Sequence, residues 1–207
     1  HMPGTMVEDH GLLYEIFTEI ARTRRVVMVH PHDQSLWEKF VDDAWRTEGR
    51  SPQAYARAWS RDDGIIFNSG TGFAIELQRA TGVSLHLLHT VSERMIALAE
   101  WARSQGQDVT LELNPHCVFL GSSWDNIERL GPYALGVWVP ERHVDALWDA
   151  MRRGAIDIIG TDHAPHAREE KESGWEDMFG TPGGSPAIQE YLSLFLTEVN
   201  AGRLDLR

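Results

Sequence analysis

Short apolar runs of strand length alternate along this chain with longer segments of helical periodicity. The runs are rich in β-branched residues and occupy positions 26–29, 83–88, 109–113 and 155–159. Helical patterns precede, separate and follow them, and Asp9 is a candidate N-cap for the first. Parallel strands need long crossovers, usually helices, so the alternation predicts an α/β fold with a parallel sheet.

Local sequence signals predict three further helix boundaries. Ser92 is a candidate N-cap for the helix that follows the second run. A glycine-rich stretch at 69–72 predicts a turn between two helices. Near the end of the chain, Ser185 followed by Pro186 has the composition of an N-cap and a first helical residue, so the last helix is predicted to begin there.

Seven of the ten histidines lie at the ends of these four runs. In α/β folds the carboxyl ends of parallel strands face the functional site, so side chains from separate strands converge there. Neutral imidazole and carboxylate are also the ligands that suit zinc and similar divalent cations. The polar groups at the strand ends are His30, His32, Asp33, His86, His89, Asn114, His116, Asp162, His163 and His166.

Each of these residues also has an ordinary interpretation. A single histidine at a strand end usually serves as a hydrogen-bonding loop residue, and Asp162 alone would suit a helix cap or a turn. The coincidence at four successive strand ends favours a site, because unrelated structural needs have no reason to select the same edge of a sheet. The sequence therefore predicts a metal or catalytic site built from several strands.

The segment 157–166, which reads DIIGTDHAPH, resembles the last-strand motif of the cyclic amidohydrolases, the family of dihydroorotases, allantoinases and hydantoinases. His30 resembles the family's fifth-strand histidine, and the segment 85–92 resembles its sixth-strand motif. The segment 109–116 is similar to the motif on the next strand. The resemblance runs in order along nearly the whole chain.

This resemblance implies a (β/α)8 TIM barrel, of which the chain holds about half, strands five to eight with their helices. It implies that His30 and His89 bind one metal, and that Asp162 binds the other and acts as the catalytic base. Asn114 and His166 are implied to contact the substrate. The cofactor would be a divalent metal, expected to be zinc, in a binuclear site. Nitrogens of His30 and His89 that share one zinc ion must lie within about 4 Å of each other.

The remaining strand-end histidines are expected to support the ligands through hydrogen bonds or packing, since a ligand histidine needs a partner to fix its tautomer. Direct ligation is the alternative for each of them. These residues are His32, His86, His116 and His163.

The family's complete site also uses a His-x-His pair on the first barrel strand and a carboxylated lysine on the fourth. No such pair precedes His30, and the chain has only two lysines, Lys39 in a helical pattern and Lys171 in an expected exposed, charged loop. A full barrel takes about 250 residues. We therefore expect a fragment, inactive alone, in which residues 1–2 are a cloning remnant and residues 3–207 are a partial barrel domain.

A small cyclic amide or ureide is the expected substrate. The segment 131–136 lacks the arginine that holds the substrate carboxylate in dihydroorotase-like members, which disfavours dihydroorotate, and the segment 183–189 is slightly closer to allantoinase-type sequences. A non-catalytic amidohydrolase-like assembly module is the alternative. The sequence leaves both functions open.

Composition disfavours several classes of partner. A formal charge of −12 without a basic cluster argues against nucleic acid and anionic membrane surfaces. The single cysteine, Cys117, forms no internal disulfide, and no run approaches the roughly 20 apolar residues of a membrane span. We expect a cytoplasmic protein. Four parallel strands would leave two open sheet edges, so a homo-oligomer is also expected.

Overall fold

Helices and strands alternate along the chain in the computed structural model, which describes residues 6–120, 123–135 and 141–206. The cloning remnant predicted at positions 1 and 2 lies outside the described residues. Two short 3-10 helices, Gly131–Tyr133 and Ser173–Trp175, complete the structure. In chain order the other elements are α1 (His10–Thr23), β1 (Val26–Val29), α2 (Gln34–Thr47), α3 (Pro52–Thr81), β2 (Ser84–Leu87), α4 (Glu93–Ser104), β3 (Val109–Leu113), α5 (Pro115–Phe119), α6 (Trp124–Leu130), α7 (Glu141–Arg152), β4 (Ile158–Ile159), α8 (Arg168–Glu172) and α9 (Tyr191–Asn200).

The four strands form a parallel sheet in the order β1-β2-β3-β4. Val29 at the end of β1 lies opposite Leu87 at the end of β2, and Leu113 at the end of β3 lies opposite Ile159 at the end of β4. All four carboxyl ends therefore lie along one edge of the sheet. The predicted α/β class, with a parallel sheet and helical crossovers, is confirmed.

The fourth strand is shorter than the predicted run at 155–159. Hydrogen bonds continue on both sides of β4, from the Asp157 amide to the Leu111 carbonyl (3.0 Å) and from the Gly160 amide to the Leu113 carbonyl (3.1 Å). β4 is an edge strand, and short edge strands limit the backbone available for unwanted pairing.

The centre of the sheet is buried, and its two edges are open. Leu85 and Leu87 in β2 and Leu111 and Leu113 in β3 are fully buried, with α3 and α4 among the helices packed around them. Exposed apolar side chains occur instead on the edge strands, at Val26, Met28, Ile158 and Ile159. No helix in the described part of the chain is long and apolar enough to cross a membrane.

The predicted N-caps of two helices are confirmed. The Asp9 carboxylate accepts hydrogen bonds from the first backbone amides of α1, and the Ser92 hydroxyl accepts one from the Met95 amide of α4. The predicted start of the last helix at Ser185 is wrong, because α9 begins at Tyr191. Ser185 instead pairs with the loop after β4, where its carbonyl accepts a hydrogen bond from the Ala164 amide (3.2 Å).

The turn predicted at 69–72 is also wrong, since α3 is helical there. The break in α3 lies at 61–64, where the backbone leaves helical geometry. Gly70 does not form a turn but packs closely against another segment of the chain. A Cβ at this position would lie 2.6 Å from the carbonyl carbon of Pro31, in the loop after β1, and closer still to its oxygen. The glycine therefore lets α3 approach that loop at backbone contact distance.

Replacing Gly70 by alanine should destabilise the protein, and Gly72 provides the matched control. Overpacking typically costs about 1–3 kcal/mol, whereas a Cβ at Gly72 meets nothing within 4 Å. Alanine is favoured over glycine in a helix by up to about 1 kcal/mol. We therefore expect Gly70→Ala to lower and Gly72→Ala to raise the free energy of unfolding, measured by urea titration. Equal effects of the two substitutions would contradict the close contact.

Candidate metal centre

Two of the predicted metal ligands meet beyond the ends of neighbouring strands. His30 directly follows β1 and His89 follows β2 by two residues. Nδ1 of His30 lies 2.5 Å from Nε2 of His89, and their ring planes are inclined at 68° with centroids 4.2 Å apart. The predicted convergence of the two rings is confirmed. Its cause is the parallel pairing of β1 with β2, which brings these strand ends together.

The surroundings favour the neutral form of both imidazoles. Burial is the largest cause of the lowered pKa of His89, which falls from 6.5 to about 4. His30 keeps part of its surface open to solvent, but desolvation, followed by the neighbouring His89 and His32, holds its pKa well below 6.5. The buried Nδ1 of His89 has no hydrogen-bond partner among the described residues. Both rings are therefore neutral near pH 7, the form that binds metal ions.

Asp162 lies close enough to influence His89. It follows β4, two positions along the sheet from β2, and its charge raises the pKa of His89 and of His116 against the effect of burial. Its Oδ2 accepts a hydrogen bond from Nδ2 of the fully buried Asn114, at 3.2 Å. The structure therefore brings four of the predicted site residues to one region, namely His30, His89, Asn114 and Asp162.

The backbone is in the left-handed region at two of these residues. His89 has φ 33° and Asp162 has φ 47°. Such backbone conformations cost free energy in residues other than glycine, and they persist where neighbouring interactions enforce them. Next to His89, the Leu88 amide donates to the Val29 carbonyl (3.0 Å) and the Thr90 amide to the Glu112 carbonyl (2.7 Å). The sheet thus holds the His89 backbone from both sides.

His166, the other predicted substrate-contacting residue, lies apart from this group. Its Nδ1 is 3.7 Å from Oε2 of Glu170. Its side chain lines a cleft of about 400 Å³ with Tyr133 of the first 3-10 helix and with residues of the segment after β4, among them Arg168. Asp162 does not line this cleft. The pairing of His166 with a carboxylate is local, within one turn of its own loop.

Three of the four remaining strand-end histidines make hydrogen bonds with groups other than His30, His89 or Asp162, so their predicted support of the ligands stays a prediction. Nε2 of His32 lies 2.8 Å from the Gln34 side chain, and Nδ1 of His86 lies 2.7 Å from the Thr110 hydroxyl. Nδ1 of His163 accepts hydrogen bonds from two backbone amides of the segment before α9. His116 is buried, and within the described part of the chain its Nδ1 meets no hydrogen-bond partner.

Glu112 is a site residue that sequence reasoning did not single out. Its carboxylate lies 3.8 Å from Nε2 of His86 and accepts a long hydrogen bond, 3.4 Å, from the His89 amide. A side chain at Gly160 would collide with it. An acidic residue in the middle of a central apolar strand is the signal that could have identified it, because a largely buried carboxylate needs partners.

The expected exposure of Lys171 is wrong. The residue belongs to α8 and is only 3% exposed, and its Nζ donates a hydrogen bond to the Pro182 carbonyl (2.8 Å). Burial lowers its pKa to about 8. The run of charges at 168–172 has the composition of a solvated face, but the segment that follows α8 folds back over this one side chain.

The residues present suit a divalent cation, although they do not form a complete ligand set. Nitrogens bound to the same tetrahedral zinc lie about 3.3 Å apart, and the pair formed by His30 and His89 is within 1 Å of that separation. No group of three His, Cys, Asp or Glu side chains in the described ranges is arranged to hold a metal ion. Two neutral imidazoles that face each other are nevertheless donors that zinc prefers, and the Asp162 carboxylate acts electrostatically on one of them, His89.

No family model matches the chain, but three curated relatives align with nearly all of it. It is 33% identical to an L-hydantoinase of Paenarthrobacter aurescens, covering 95% of this chain and 42% of that protein. A dihydroorotase of Halobacterium salinarum is 30% identical, covering 97% of this chain and 44% of that protein. An allantoinase of Rubrobacter xylanophilus is 31% identical, covering 97% of this chain and 43% of that protein. The chain thus spans less than half the length of these relatives.

Solved structures give the same picture. The L-hydantoinase from Arthrobacter aurescens superposes with a TM-score of 0.90 at 31% identity, covering 99% of this chain and 45% of that one. A D-hydantoinase superposes equally well at 22% identity, which bears on the fold alone. The four-stranded sheet therefore corresponds to part of a TIM-barrel amidohydrolase, as the sequence predicts.

The lowered pKa of His89 should make stability depend on pH. The unfolded chain binds a proton as pH falls through 6.5, whereas the folded ring binds it only near pH 4. The stabilising effect of the neutral ring is thus fully present above pH 6.5 and is lost toward pH 4, at about 1.4 kcal/mol per pH unit. We expect urea titrations in EDTA at pH 7 and pH 5 to show this fall.

His89→Gln is the control for that measurement, because glutamine keeps a polar side chain but does not titrate. Its free energy of unfolding should fall less between pH 7 and pH 5 than that of the unsubstituted chain. The same fall in both proteins would show that another group is responsible.

Proposed function

Since the chain belongs to the cyclic amidohydrolase family, we propose that the whole protein hydrolyses a carbon–nitrogen bond of a small cyclic amide or ureide. The relatives named above include a hydantoinase, a dihydroorotase and an allantoinase. The observation that carries the proposal is the meeting of His30 and His89, with Asp162 beside them, at the carboxyl edge of a parallel sheet.

The family is metal-dependent, and we propose that this protein uses a divalent metal, zinc, in a binuclear site. His30 and His89 are the proposed ligands of one ion and Asp162 of the other. When bound, such a cation polarises a carbonyl oxygen and lowers the pKa of water. The neutral state of both imidazoles leaves their nitrogen lone pairs available to it.

Asp162 is the proposed acid–base group of the reaction. A water oxygen adds to the ring carbonyl carbon and the carbon–nitrogen bond breaks, which leaves an N–H group and a carboxylic acid that ionises to a carboxylate by losing its proton to solvent. Asp162 would accept a proton from the attacking water and return it to the departing nitrogen, which is general acid–base work by one carboxylate. The hydrogen bond from Asn114 restrains the orientation of that carboxylate. Substrate contact by Asn114 and His166 is part of the same proposal.

The second candidate function is a non-catalytic assembly module of the same family. Exposed apolar residues on the two edge strands support protein association, and the sequence predicts a second copy of the chain as the partner. The convergence of His30 and His89 favours the enzyme over the module, because a scaffold has no need of neutral, converging imidazoles. We further propose a cytoplasmic location, which suits the buried free thiol of Cys117.

Replacing Asp162 by asparagine should abolish turnover by the whole protein and leave the fold intact. Asparagine has nearly the same shape but cannot accept and return the proton, and general acid–base catalysis contributes about 10²-fold or more. Asp149→Asn is the control, because Asp149 is exposed and pairs with Arg152 on α7. Steady-state hydrolysis of hydantoin, allantoin and dihydroorotate measures the effect. An Asp162→Asn protein that keeps more than about a tenth of the activity would contradict the role.

Zinc should bind to this chain through His30 and His89. Loss of either ligand should weaken binding by about tenfold or more, since even partners of metal ligands are worth that much. We expect this for His30→Ala and for His89→Ala in equilibrium dialysis against zinc with elemental analysis. His10→Ala is the matched control, because that ring packs on Phe73 in α3. Equal zinc affinity in His30→Ala, His89→Ala and His10→Ala would contradict the proposal that His30 and His89 bind the metal.

A further inference from the structure

Lys171 is a buried ammonium group without a carboxylate partner. Its residue is 3% exposed, and the Pro182 carbonyl is the acceptor of its one hydrogen bond. Across the described residues, no Asp or Glu lies within ion-pair distance of its Nζ. An ammonium has three N–H donors, so two remain available. Buried charges are normally paired, so this arrangement requires an explanation.

The side chain keeps its charge despite burial. Desolvation lowers the pKa of Lys171 from 10.5 to about 8, and no charged neighbour contributes to the change. At pH 7 about nine-tenths of the molecules therefore carry the proton. The protein holds a positive charge that its own groups do not neutralise.

Lys171 lines the cleft of about 400 Å³ described above. The other charged groups there are already paired. Nε of Arg168 lies 3.2 Å from Oε1 of Glu172, and that same oxygen accepts a hydrogen bond from the Tyr133 hydroxyl (2.6 Å). Glu172 thus pairs with Arg168, and among the described residues that line the cleft Lys171 is the cation without a carboxylate partner.

We propose that this cleft binds a carboxylate, which forms an ion pair with Lys171. One unneutralised cation matches one negative charge, which favours a carboxylate over a doubly charged phosphate. The walls next to Lys171 offer the His166 imidazole, which is polar, and the apolar ring of Pro186, whereas the Tyr133 hydroxyl already donates to Glu172. A small organic acid, with polar and apolar parts beside its carboxylate, fits that lining.

The identity of the acid rests on the proposed function. Opening a cyclic amide by hydrolysis creates one carboxylate that the substrate did not have. His166 and Lys171 belong to the segment that begins at Asp162, so the cleft lies on the loop that leaves the proposed reaction centre. The carboxylate forms at the carbon that is attacked beside Asp162, outside this cleft, so we infer that Lys171 receives it once the ring-opened product leaves the reaction centre. Binding of a simple carboxylate does not depend on that assignment.

Nitrogen NMR of the chain labelled with [ε-15N]lysine tests the site. The chain has two lysines, so Lys39, on exposed α2, is an internal control, and Lys39→Met assigns the signals. The probe is acetate at constant ionic strength. At ten times its dissociation constant, acetate should raise the pKa of Lys171 by about one unit and leave that of Lys39 unchanged. Its affinity should fall about tenfold between pH 7 and pH 9, as Lys171 loses its proton.

Two variants separate binding from structure. Lys171→Met removes the charge at similar volume, and acetate affinity should fall at least tenfold in a variant that still unfolds cooperatively. Lys171→Arg keeps the charge and should retain acetate binding. An unchanged Lys171 signal in 100 mM acetate, or equal acetate binding by Lys171→Met, would overturn the proposal and leave Lys171 as a tether for the Pro182 loop.

Two further probes identify the ligand. Phosphate that binds more tightly than acetate would overturn the choice of a singly charged carboxylate. N-carbamoylglycine, the product of hydantoin ring opening, should bind at least as well as acetate. If acetate binds and N-carbamoylglycine does not, the anion site stands and its link to the product fails. If the whole protein hydrolyses no cyclic amide, acetate binding still tests the site separately.

Discussion

Parallel pairing of the four strands is the constraint on which the rest of the structure depends. It requires helical connections, places every carboxyl end at one edge, and brings His30 and His89 together although 59 positions separate them in sequence. The same pairing holds the unusual backbone of His89 through the Val29 and Glu112 carbonyls. The geometry of the candidate metal centre is therefore a property of the sheet more than of the loops that carry its side chains.

Burial has opposite effects on the charge of two regions at the carboxyl ends of the strands. Around His89 it removes positive charge from imidazoles and leaves lone pairs next to the Asp162 carboxylate, which attracts a cation. Around Lys171 it leaves an ammonium charged but unpaired, which attracts an anion. Hydrolysis converts a neutral cyclic amide into an anionic product. A cation-binding region and an anion-binding region on the same loop edge together suit such a reaction.

Much of this arrangement could be predicted because it depends on local patterns. Runs of β-branched residues identified all four strands, and Asp9 and Ser92 marked helix starts. The errors came from tertiary contacts. Gly70 has a turn-like sequence but serves the contact with Pro31, Ser185 pairs with the loop after β4, and Lys171 is covered by the segment at Pro182. Such contacts join distant positions, so no short window of sequence contains them.

The break in α3 divides the helix into two parts that contact the His30 loop in different ways. The part of α3 after 61–64 is attached to that loop through the Asp33 amide, which donates to the Ile66 carbonyl, the Ser69 hydroxyl, which donates to the Asp33 carboxylate, and the Gly70 contact. These contacts tie the second part of α3 to the loop through backbone and hydrogen bonds. The part that begins at Pro52 reaches the same loop through aromatic packing instead, because Trp59 stacks on Phe67 and lies edge-on to His32. The loop that carries the His30 imidazole therefore rests on both halves of a broken helix, one through hydrogen bonds and the other through ring contacts.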